Sequence, residues 1–167
     1  MDNRVYREAV RVIVVKDGKY VLLGREAYDE NPKGKFNCFD FPGGGIEDGQ
    51  TAEEAAIREC LEEVGVLIKN PRPLGLEFYC DIKFRGEWGQ KYRGNIDRWY
   101  IADYHADEKS LHGSEGDLMP YEWVTVQIAE ERISKGPYSP MNQFRLPAIR
   151  KVAELLGQQQ TVKSASW

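Results

Sequence analysis

Residues Phe41 to Val66 read FPGGGIEDGQTAEEAAIRECLEEVGV, a run of glycines followed by an acidic, periodically apolar segment. Thr51 and Glu54 stand at the spacing of a capping box, in which each side chain satisfies an amide of the other's backbone, so a helix is expected to start there. Gly65 supplies its C-terminal stop. Ile57, Cys60, Leu61 and Val64 recur at i, i+3, i+4 and i+7 and are expected to form the buried stripe. At about 100° per residue, Glu59, Glu62 and Glu63 then cluster on the other side.

An acidic helix face is usually no more than a solvated surface. Here the three carboxylates sit three and four residues apart and repel one another, with Arg58 as the neighbouring cation. A divalent cation would remove that repulsion by bonding several oxygens at once. The glycines Gly43, Gly44 and Gly45 would let backbone come close to a ligand, offering carbonyls to a metal or amides to a phosphate. Oxygen ligands with water completing the shell indicate magnesium, with manganese as the alternative, rather than zinc.

The rest of the chain sets bounds. At 167 residues, with 27 acids against 23 bases and no block of like charge, it is expected to be a single domain over residues 1–157 with a flexible polar tail at 158–167. Its net acidity disfavours general binding to nucleic acid or to an anionic membrane. Three cysteines without CxxC spacing argue against a disulfide framework and a zinc site, and no signal peptide or membrane span is legible. The expectation is a cytoplasmic protein.

Ala9 to Val15 and Tyr20 to Leu23 should form a hairpin around Asp17-Gly18. Residues 26–37 are expected to form an exposed loop, either a substrate lip or a plain connection. Strands are expected near Leu74–Ile82, Arg98–Tyr104 and Tyr121–Val126, with a polar segment from Phe84 to Asn95 and a long loop from His105 to Pro120. Helices follow near Gln127–Ser134 and Leu146–Leu156. Strands interrupted by one helix and closed by two more give an α/β (α+β) layered fold with a mixed central sheet.

With those residues in place, the pattern resembles the signature of the Nudix hydrolase family: Gly, five residues, Glu, seven residues, Arg-Glu, an aliphatic, any residue, Glu-Glu, any residue, Gly, an aliphatic. It falls on Gly44, Gln50, Arg58-Glu59, Cys60, Glu62-Glu63, Gly65 and Val66, with Gln50 where the family carries its first glutamate. That departure puts metal affinity or preference in question and leaves the fold untouched. The resemblance implies a Nudix-type α/β/α sandwich and hydrolysis of the phosphoanhydride in a nucleoside diphosphate linked to another group X. It implies that Glu59, Glu62, Glu63 and the Gly43 carbonyl hold the metal while Arg58 orients the carboxylates. Glu115, with Glu122 or a glutamate of the signature as alternatives, is expected to act as general base. Arg25 is a candidate phosphate contact and Trp88 a candidate stacking residue, whereas Tyr79 is equally well explained by core filling. Two other readings stand beside this one: a catalytically weak or inactive module that binds a nucleotide or partner, and a hydrolase of RNA 5′ ends, which net acidity disfavours. A homodimer is compatible with the resemblance.

Overall fold

A computed structural model describes residues 1–26, 38–109 and 118–165, with backbone alone beyond Gly157. The hairpin forms as its turn chemistry dictates. Strand β1 (Val5–Lys16) and β2 (Tyr20–Glu26) meet at Val15↔Val21 and Lys16↔Tyr20. Between them Asp17 and Gly18 both take positive φ, 55° and 61°, the backbone that matches the twist of a tight hairpin.

Two short strands follow, β3 (Cys38–Asp40) and β4 (Gly43–Gly45). Helix α1 (Ala52–Val64) has the expected capping box between Thr51 and Glu54 and ends on Gly65 in the left-handed conformation. Next come β5 (Val66–Asp81), a one-and-a-half-turn helix α2 (Gly86–Lys91) and β6 (Tyr92–Asp107). The chain closes with β7 (Tyr121–Thr125), α3 (Val126–Lys135) and α4 (Asn142–Ala165).

The sheet is mixed. Its main path runs β3-β2-β1-β6-β5, with β4 paired to β1 and β7 to β2. The β1–β6 pair is parallel and the other pairs are antiparallel. Alternation along β1 separates two cores, as a period of two requires. Val10, Val12 and Val14 pack with Ala55, Ala56, Cys60 and Val64 of α1, while Ile13 and Val15 pack with Ala129, Ile133, Ile149 and Val152 of α3 and α4. Burying each such aliphatic side chain contributes about 1.5–3 kcal/mol. The result is the expected helix–sheet–helix sandwich.

Several boundaries differ from the sequence pattern. Strand β5 begins at Val66 and runs through Pro71 and Pro73, because register shifts and positive φ at Asn70 and Gly75 absorb the irregularity. The polar segment after Phe84 holds α2 and the start of β6, and β6 extends to Asp107. Helix α4 continues to Ala165, a stretch of mostly good helix formers that lacks an apolar stripe to announce it.

Candidate active site

Helix α1 is rotated relative to the expected stripe. Ala55, Ala56, Cys60 and Val64 are its buried residues, whereas Ile57 is exposed. The turn of the helix brings Glu59 and Glu63 to the border of the buried stripe, against β4, and leaves Glu62 outward. The carboxylates therefore do not form one wet face: the Glu59 side chain is 14% exposed and that of Glu62 58%. Ile57 loses its core place because Ala55 and Ala56 are small enough for the sheet to approach on their side.

Strand β4 is built entirely of glycine, and each residue admits a different neighbour. Its pairing with β1 sets Ala9, Val10 and Arg11 opposite Gly45, Gly44 and Gly43. A β-carbon at Gly44 would lie 2.4 Å from Glu59 Oε1, and one at Gly45 would lie 1.9 Å from the Arg7 guanidinium. The same strand thus gives close approach to a carboxylate of α1 on one face and to a cation of β1 on the other.

Arg58 organises the first face. Its guanidinium donates to Glu59 Oε1 at 2.8 Å, Glu62 Oε2 at 2.9 Å, the Gly45 carbonyl at 2.9 Å and Gln50 Oε1 at 3.2 Å. Gln50 Oε1 also accepts from the Glu47 amide at 3.2 Å, so the amide at the departing position keeps two contacts and contributes no charge. Arg58 turns both of its carboxylate partners toward itself, and among the described residues no three acidic, histidine or cysteine side chains converge as a ready metal cage.

Glu63 is engaged differently. Its Oε2 accepts from the Gly43 amide at 2.7 Å. Burial pushes its carboxyl up to about 7, more than the Gly43 amide and the nearby Arg11 hold it down. A buried carboxylate that resists ionisation is one that a cation would favour. Arg11 lies 3.5 Å from Asp97, a fully buried residue of β6.

Of the remaining expected residues, Glu115 lies outside the described residues. Both ends of its segment are tied to α1, since the Glu108 amide donates to the Gly65 carbonyl and the Met119 amide to the Glu63 carbonyl, each at 2.8 Å. Glu122 is exposed and paired with Arg132, which holds it below the usual carboxylate range and makes it a poor base. Arg25 is exposed near the end of β2, opposite Phe39 of β3.

Trp88, 47% exposed, lines a cleft of about 520 Å³ whose charged residues are Arg7 and Lys91 against Glu8, Glu47, Asp48 and Glu87. Arg25 does not line it. Glu47 also stands 3.8 Å from Arg58, so the cleft adjoins the carboxylate cluster. Tyr79 is 60% exposed and stacks edge-on against Tyr6; core filling is not its role, because it points from the edge strand β5 to solvent. Sequence reasoning missed Arg7 and Arg11. Their spacing on β1 carried a signal, two arginines on a strand face otherwise made of Val5, Ala9, Ile13 and Val15, that a hairpin reading alone does not use.

Comparison with known proteins bears on the family and the fold. A family model described as NUDIX domain matches residues 5–144. An RNA pyrophosphohydrolase of Rhizobium meliloti is 30% identical over 135 residues, covering 71% of this chain and 78% of the relative. One of Sphingopyxis alaskensis is 26% identical, covering 79% and 85%. Among solved structures, an ADP compounds hydrolase superposes with a TM-score of 0.67 at 21% identity over 94% of this chain and 76% of that one. A NUDIX hydrolase from Nitrosomonas europaea gives 0.63 at 15% over 89% of each.

Proposed function

The chain belongs to the Nudix hydrolase family, and from that premise we propose that it is a divalent-metal-dependent pyrophosphohydrolase of nucleoside 5′-polyphosphates. The reading rests on one observation above all: Arg58 gathers Glu59, Glu62, Gln50 and the Gly45 carbonyl, while the Gly43 amide of the same strand holds Glu63. Glu59, Glu62, Glu63 and the Gly43 carbonyl would hold the metal, magnesium first and manganese second. Their fit is that of hard oxygen donors around a cradle a β-carbon would fill. Binding requires Glu59 and Glu62 to turn from Arg58.

When bound, the metal would neutralise charge on the phosphate oxygens and help ionise water. The chain's own groups do the rest. Arg58 is the hinge that returns the carboxylates to one geometry. The Gly43 amide holds Glu63 oriented. Glu115 takes the general-base role in this reading, supported by the attachment of both ends of its segment to the C-terminal end of α1. Arg25 is assigned to phosphate and Trp88 to the nucleoside.

The substrate narrows along two lines. The curated relatives are RNA pyrophosphohydrolases, which favours a triphosphorylated RNA 5′ end. The formal charge of −4 favours a free nucleotide, since such a field gives an RNA body little attraction. A panel of nucleoside triphosphates, nucleotide sugars, ADP-ribose, dinucleoside polyphosphates and 5′-triphosphorylated RNA, assayed with magnesium and with manganese, tests the reading. Turnover of at least one member that needs the metal is expected, and no turnover of any would overturn it.

A further inference from the structure

Arg11 carries a charge onto an apolar face of the sheet, the face of β1 that also holds Ile13 and Val15. Its side chain is 18% exposed, and its Nε lies 3.5 Å from Oδ2 of Asp97 on β6, which is 1% exposed. Cys80 of β5 brings its thiol within 3.6 Å of the same oxygen, so three strands meet at one buried carboxylate. Asp97 Oδ1 has no hydrogen-bond partner among the described residues. A buried ion pair with hydrogen-bonding capacity left unfilled adds little to stability, and apolar residues of similar volume often serve the fold as well or better. The demands of the core therefore do not account for the pair.

What the pair does hold is the first glycine of β4. Arg11 lies directly opposite Gly43 in the β1–β4 pairing, and its stem runs across that residue. A β-carbon at Gly43 would stand 2.8 Å from Arg11 Cδ and 3.0 Å from its Cα, so glycine is needed for Arg11 to lie where it does. The peptide group that joins Pro42 to Gly43 is engaged at both ends. Its carbonyl accepts from the Val12 amide of β1 at 2.9 Å, and its N–H donates to Glu63 Oε2 of α1 at 2.7 Å. An arginine stem is long and flexible, and Asp97 ties its far end. Burial works against an ionised Glu63, and after the Gly43 amide Arg11 is the group that favours it most.

We infer that Arg11 and Asp97 are positioning residues for Glu63: Asp97 holds Arg11 across Gly43, and Arg11 so placed keeps the Pro42–Gly43 peptide with its N–H aimed at the Glu63 carboxylate. Neither residue touches substrate. The effect on catalysis rests on the proposed reading, in which Glu63 works on the reacting phosphate; the effect on the Gly43 amide does not. Loosening the holder of Glu63 lowers kcat and leaves KM nearly unchanged, whereas losing a contact made equally to substrate and transition state raises KM.

Hydrogen exchange at the Gly43 amide, followed by NMR in EDTA, reads the holder without metal or turnover. The parent is compared with Arg11→Met/Asp97→Leu and the milder Arg11→Met/Asp97→Asn, which keep apolar bulk and remove the tie, and with Arg11→Lys, which keeps the charge but not the planar fork. The same proteins are assayed in magnesium for kcat and KM on whichever nucleotide the parent turns over. The double variants should melt at or near the parental temperature, while Gly43 exchange quickens by about tenfold or more relative to amides of β6. Their kcat should fall about 10- to 100-fold, the scale of a displaced reacting group, with KM within about twofold of the parent. Arg11→Lys should lie between parent and double variants in both readings. Parental Gly43 exchange in a folded double variant would overturn the inference. So would a loss of kcat without faster exchange, or a rise in KM alone, since either would mean that Arg11 meets the substrate itself. Should the double variants unfold, Arg11→Lys decides, with intermediate exchange supporting the inference and parental exchange overturning it. A parent that hydrolyses nothing would sink the proposed reaction, and the exchange readings would still decide the positioning.

Discussion

Gly44 faces Glu59 so closely that a β-carbon there would stand 2.4–2.6 Å from the atoms of its carboxylate. The neighbour is the far end of a flexible side chain, so Gly44→Ala should fold and displace Glu59 instead. Turnover should fall by about tenfold or more, since a ligand moved by an ångström is costly to catalysis, while the thermal midpoint changes little. Rates and melting curves of the variant check both halves, and unchanged turnover would show that Glu59 needs no fixed place.

Glu63 makes the metal-free protein sensitive to pH. Its folded carboxyl titrates at about 7 instead of 4.5, so on raising the pH the unfolded chain loses this proton first. The contribution is therefore fully present below about 4.5 and is lost as pH rises to about 7, by up to about 3 kcal/mol. Denaturation in EDTA at about pH 5 and about pH 7.5 should show this decline in the parent and a flatter response in Glu63→Gln. An equal slope in both proteins would assign the decline to other groups.

Gln50 accepts from Arg58 and from the Glu47 amide, each at 3.2 Å. Gln50→Glu keeps both contacts and adds a charge near the carboxylate cluster. Metal affinity should rise several-fold through the added Coulomb attraction, with the fold unaltered. Titration of magnesium or manganese against activity reads this directly, and a weaker metal response would mean that Arg58 had been drawn away from Glu59 and Glu62.

Arg145 of α4 and Asp40 of β3 form a buried pair, with Nε–Oδ1 at 3.1 Å and Nη2–Oδ2 at 3.0 Å. Asp40 Oδ1 also accepts from the Phe41 amide at 2.8 Å, so α4 is anchored to the strand that leads into the glycines. Removing one partner leaves an uncompensated buried charge, and Arg145→Ala should cost about 3–5 kcal/mol. Chemical denaturation tests it, and a loss under about 1 kcal/mol would mean that water enters to solvate Asp40.

The part of the fold carried by local chemistry was legible in the sequence. Asp17-Gly18 specified the hairpin, and Thr51, Glu54 and Gly65 fixed both ends of α1, because caps and tight turns depend on residues a few positions apart. The rotation of α1 was not legible. Ile57 fits a helical stripe as well as Ala56 does, and only the sheet's close approach decides between them. The candidate site divides the same way: the carboxylates and Arg58 sit in one contiguous motif, whereas Arg7 meets Gly45 and Trp88 only through strand pairing and the fold of α2. Strand β5 concealed its length because Pro71 and Pro73 read as breaks, yet an edge strand with register shifts tolerates them.

Turnover of Glu63→Gln is the measurement that bears most directly on the claim that the carboxylates of α1 work through a metal on a phosphoanhydride. With a nucleoside triphosphate or a triphosphorylated RNA that the parent cleaves in magnesium, the variant should remain folded and lose about 100-fold or more in kcat, the scale of removing one electrostatic partner of the reacting phosphate. Glu63→Gln turning over at the parental rate would contradict the account.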